Sequence, residues 1–98
     1  MRRGFTLTPS AKADLREIVQ YYRRERGVAS ARLVRTTLDT ALMLLATHPE
    51  IGHARPDLAD ERHRIWPVRH FLIIYRPQTK PLQIIRIWHA KRGTPQLA

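Results

Sequence analysis

The sequence predicts an α+β fold: a helix hairpin packed on one face of a small, largely antiparallel sheet, in the order β-α-α-β-β-β. Three observations predict it. Two apolar runs, 69–76 and 82–89, flank a five-residue gap bounded by prolines and read as a β-hairpin. Two segments upstream carry apolar residues at helical spacing and meet at Gly27. A short, loosely alternating stretch precedes them. Two helices over one small sheet is a standard way to bury one apolar face of each.

The elements follow in chain order. Arg3 to Leu7 is the first strand. Thr8-Pro9 marks a helix start, with Thr8 as cap and Pro9 at the first helical position. Ala11, Leu15, Ile18, Val19 and Tyr22 then share one helix face, and Gly27 stops the helix. Asp14 and Glu17 on this helix read as a solvated acidic spot. The second helix spans Ala29 to Thr47, with Ala31, Val34, Leu38, Ala41, Leu42 and Leu45 as its stripe. Leu33, Met43 and Leu44 widen that stripe, which implies cover on more than one side. Pro49, Gly52 and Pro56 make 48–61 a loop, pinned by Ile51 and Leu58. Arg62 to Trp66 is a short strand, and Pro67 separates it from a strand over Val68 to Arg76. The turn 77–81 leads to the last strand, Leu82 to His89, and an irregular tail.

The last two strands are apolar on both faces. Strict alternation points Phe71, Ile73 and Tyr75 one way and Leu72 and Ile74 the other. In the last strand it places Ile84 and Trp88 beside Arg86, with Ile85, Ile87 and His89 opposite. The helix pair covers one face. An uncovered face forfeits about 1.5–3 kcal/mol per large side chain. An apolar patch rimmed by arginine is a protein-binding surface by its composition; cover by the tail and the 48–61 loop is the other reading.

Composition narrows the function. At 98 residues the chain is expected to be one domain, 1–98. It has no cysteine, which excludes disulfides and thiolate metal sites. His48, His53, His63 and His70 show no ligand spacing, so neither a metal nor a cofactor is expected. No apolar run approaches the length of a membrane span, and no signal peptide opens the chain; a cytoplasmic location is expected. The formal net charge is +10, and of 18 basic residues only Lys12, Lys80 and Lys91 are lysine. The charge is spread over both halves, which suits an acidic protein, nucleic acid, or both.

Several blocks carry a family resemblance. They are Leu7-Thr8-Pro9-Ser10-Ala11 with Asp14-Leu15-Arg16-Glu17-Ile18; His48-Pro49-Glu50-Ile51-Gly52 with Pro56-Asp57-Leu58; Arg62 through Arg76; and Ile84 through Arg92. In this order they resemble the ParE-type toxins of the ParE/RelE superfamily, the toxin subunits of bacterial type II toxin–antitoxin pairs. The resemblance implies an acidic, ParD-like antitoxin that binds DNA through its own N-terminal part and wraps the toxin, so that DNA contact runs only through the antitoxin. It implies DNA gyrase as the target for ParE-like members and ribosome-bound mRNA for RelE-like endoribonucleases.

The nuclease pattern is incomplete. Arg92 resembles the position of one catalytic arginine, but no late tyrosine follows it, and the chain is apolar near Leu72 where RelE-like enzymes carry another arginine. On a nuclease reading Arg86, His89 and Arg92 are the remaining catalytic candidates, with His89 titrating near neutrality. His89 otherwise closes the last strand structurally. On the binding reading Arg69, Phe71, Ile73, Tyr75, Arg86, Trp88 and Arg92 form the partner surface. Arg69 and Arg86 either hold carboxylates of the antitoxin or target, or are rim arginines that snorkel to water or pair internally with Asp60 or Glu61.

Overall fold

A computed structural model describes residues 4–57 and 60–90. The elements are β1 (Phe5–Leu7), α1 (Pro9–Arg26), α2 (Val28–Thr47), a 3-10 turn (Pro49–Ile51), β2 (Arg64–Val68), β3 (Phe71–Arg76) and β4 (Leu82–His89). This is the expected β-α-α-β-β-β order. Three expectations, the residues preceding Gly4, Leu58 as a pin and the tail with Arg92, fall outside the described residues.

Helix α1 starts as the sequence dictates. The Thr8 hydroxyl accepts from the Ala11 N–H at 3.1 Å and donates to the Ile85 carbonyl at 2.8 Å. One side chain therefore caps the helix and ties it to β4. Gly27, at φ 94°, turns the chain into α2 from a region that L side chains rarely adopt. Ala11, Leu15 and Ile18 of α1 and Val34, Leu38, Ala41, Leu42 and Leu45 of α2 are buried in one core with Phe71, Ile73, Tyr75, Ile84 and Ile87.

The sheet order is β1-β4-β3-β2, with β1 parallel to β4 and the other pairs antiparallel. Two details differ from strict pattern reading. Strand β2 runs through Pro67, and the turn falls at Arg69-His70 instead. Pro67 is tolerated because β2 is an edge strand, where a missing N–H breaks no ladder. In β4, Ile74 faces Arg86 while Tyr75 faces Ile84, leaving Ile85 as an extra residue in a bulge. The bulge flips the parity of the strand's first half. Ile84 thus joins Ile87 under the helices, while Ile85 packs with Leu72 and Trp88 around Ile65 and Ile74 on the outer face.

The sheet's edges are closed by local devices. The outer rim of β2 pairs at one residue with His53, whose N–H and carbonyl both bond Ile65 at 2.8 Å. Strand β1 covers β4 only as far as Ile84. Beyond it, Thr8 takes the Ile85 carbonyl and the Asp14 carboxylate takes the Ile87 N–H at 3.0 Å.

Loop 48–57 is clasped to the sheet by Tyr75. Its hydroxyl donates to the Pro49 carbonyl at 2.6 Å and accepts from the Gly52 N–H at 2.9 Å. A Cβ on Gly52 would lie 2.7 Å from the Tyr75 ring, so this position admits only glycine without a shift.

Candidate partner-binding surface

Arg86 begins on the outer face of the sheet and lies over the Trp88 ring, 5.3 Å from its centroid. Its Nε and Nη2 donate to the two Asp14 carboxylate oxygens at 2.6 and 2.9 Å. Asp14 is 5% exposed and also holds the Ile87 N–H. The carboxylate thus accepts three hydrogen bonds, and the Asp14 hydrogen bond raises the Arg86 pKa above the ordinary guanidinium value. This corrects two expectations. Asp14 is a buried structural carboxylate, not a solvated one, and Arg86 pairs with it rather than with Asp60 or Glu61. The signal was present in the spacing: Ala11, Asp14, Leu15 and Ile18 share one helix face. Asp60 instead binds Arg62 at 2.9 Å and His63 at 2.6 Å, and Arg62 first, then His63, holds its carboxyl well below the usual range.

His89 sits half-buried in an aromatic cluster. Its ring centroid is 5.0 Å from Phe71 and 6.4 Å from both Tyr21 and Tyr22. Arg86 lies on the other side of the strand, so the structure does not bring these two nuclease candidates together. Arg92 lies outside the described residues. Among the described residues no group of three or more His, Cys, Asp or Glu is placed to hold a metal ion.

The predicted partner surface divides. Phe71, Ile73 and Tyr75 lie under the helix pair and are 2%, 0% and 0% exposed, so they belong to the core and present little to a second molecule. The helices claim that face because their own stripes require it. Trp88 and Arg86 remain half-exposed on the outer face, beside Leu72 and Ile85. Arg69 is exposed in the β2–β3 turn at φ 54°.

The larger exposed apolar groups lie elsewhere. Leu33 is 66% exposed, Met43 56% and Leu44 42%, all on α2. The expectation that these three widen the buried stripe is therefore overturned: a single small sheet is wide enough to bury only one side of the helix. Leu33 and Leu44 share an uncharged strip with Thr37 and Thr40. Sequence reasoning could not see this, because a wide buried stripe and an exposed apolar strip have the same composition.

Comparison with known proteins agrees with this architecture. A solved structure titled "Chromosomal ParDE TA system from P. aeruginosa" matches with a TM-score of 0.74 and 24% identity, covering 87% of this chain and 92% of that one. No curated protein sequence matches. Residues 5–93 match the family described as "ParE toxin of type II toxin-antitoxin system, parDE". That match spans nearly the whole chain, and its residues are those that build the helix hairpin, the bulged strand and the Asp14–Arg86 clamp: the chain belongs to the ParE toxin family.

Proposed function

We propose that this toxin acts by binding a protein target, DNA gyrase, without catalysing a reaction, and that a ParD-like acidic antitoxin neutralises it. The observation that carries the reading is the state of Arg86. A nuclease needs free cations at the scissile phosphate. Arg86 instead commits two donors to a buried carboxylate, and His89 is walled by aromatic rings on the opposite face. What the chain offers outwardly is exposed apolar surface within a +10 field, which suits an acidic, amphipathic protein segment. Such a segment is disordered alone and folds on docking. DNA then meets the complex through the antitoxin, in the cytoplasm.

The test is a gyrase supercoiling assay run beside a ribosome-programmed mRNA cleavage assay with the purified chain. Inhibited supercoiling with intact message is expected. Cleaved message with unaffected supercoiling would establish the endoribonuclease reading instead.

A further inference from the structure

The last turn of α1, the start of α2 and the β2–β3 turn enclose a pocket of about 220 Å³. Tyr22, Leu33, Val34 and Phe71 supply apolar walls, and Arg26 and Arg69 stand at its margin. Among the described residues no carboxylate lines it. Arg26 lies 6.0 Å from the centroid of the Tyr22 ring, and Leu33 is the most exposed large apolar side chain of the described residues. Arg69 takes a left-handed conformation at φ 54° in an exposed two-residue turn. Glycine or asparagine holds such a turn with less strain. Neither hydrogen bond nor ion pair to another described residue explains an arginine there. Strain of this kind persists where a side chain is needed at that spot.

We infer that this pocket anchors the antitoxin, receiving one apolar side chain of its acidic segment while flanking carboxylates meet Arg26 and Arg69. The inference rests on the toxin–antitoxin reading above and names where on this chain the segment is held. Charge selects the occupant. A second copy of a +10 chain would bring cations to a cationic mouth. A phosphate backbone would meet the arginines but leave the apolar walls unused. An acidic amphipathic segment satisfies both, with a buried anchor and a charged rim.

The probe is the purified product of the reading frame adjacent to this gene, titrated calorimetrically into the intact chain and three variants. Leu33→Glu is expected to weaken binding by more than about 100-fold, since it buries a like charge against incoming carboxylates. Its melting temperature should stay unchanged, because Leu33 is exposed. Arg69→Gly should weaken binding by about tenfold while raising the melting temperature, a split that a purely structural arginine would not produce. Arg24→Ser, which removes a cation outside the pocket, should shift affinity by less than about threefold. Binding of Leu33→Glu and Arg69→Gly at wild-type strength would overturn the pocket. Preferential loss of duplex DNA binding in Arg69→Gly would replace the occupant by nucleic acid. No binding by the wild-type chain would be a different failure, removing the proposed ParD-like partner and the occupant with it.

Discussion

Tyr75 and Asp14 show how much a single polar atom can organise. The Tyr75 hydroxyl holds both ends of a turn, at Pro49 and Gly52, from inside the core. Tyr75→Phe keeps the packing and strands a buried N–H and a carbonyl, so it should cost about 1–3 kcal/mol in urea denaturation. Burial raises the Tyr75 pKa above its ordinary 10.0. The phenol's contribution is therefore fully present below pH 10 and is lost as pH rises through the higher folded value. Wild-type stability should fall there more steeply than that of Tyr75→Phe, measured as denaturation midpoints between neutral and alkaline pH. Asp14→Ala should cost about 3 kcal/mol or more, since it leaves a half-buried guanidinium and the Ile87 N–H without their acceptor. Restored stability in the double variant Asp14→Ala, Arg86→Met would show that the unpaired charge, not lost packing, is the cost.

Among the elements, β4 carries the most information per residue. Its bulge at Ile85 lets one strand present Leu82, Ile84 and Ile87 to the helices and Ile85 and Trp88 to the outside. Deleting Ile85 removes the bulge and makes the ladder continuous, with Leu82, Ile84 and Ile87 still on the helix side and Arg86 and Trp88 still outside. The cooperative transition should survive, at a cost of about 2–4 kcal/mol in urea denaturation for the lost Ile85 packing and the carbonyl that Thr8 holds, whereas Ile85→Val should cost about 1 kcal/mol. The helices and the hairpin were legible in the sequence because Thr8-Pro9, Gly27 and the proline-bounded 77–81 turn carry their own local chemistry. The bulge was not, because Ile84, Ile85 and Ile87 are interchangeable to pattern reading and only the facing strand decides which is extra. The turn at Arg69-His70 was missed for a related reason: Pro67 breaks a central strand, and edge position is a tertiary fact. Of the predicted partner surface, Arg69 is exposed at the rim of a pocket, whereas Arg86 is committed internally. Leu33 was misread because composition records that a side chain is apolar, not whether the sheet is wide enough to cover it.

For the whole molecule, charge and shape act together. On the proposed function, the +10 charge steers an acidic antitoxin from a distance and the exposed apolar groups on α2 hold it after contact. Raising salt should therefore slow association with the antitoxin by about tenfold or more while changing dissociation little, as stopped-flow mixing would record. Equal slowing of both steps would mean that the arginines serve the bound state rather than the encounter.

The closed edges of the sheet have a consequence for how partners diverge. Among the described residues, with Pro67 and His53 on one rim, Thr8 and Asp14 on the other, and three residues of β1 left to pair, little main chain is available to lend affinity to any extended peptide. Recognition then falls to side chains, whose identity changes one codon at a time. Two such toxins in one cell could keep the same backbone and still refuse each other's antitoxins after a few substitutions around a single pocket.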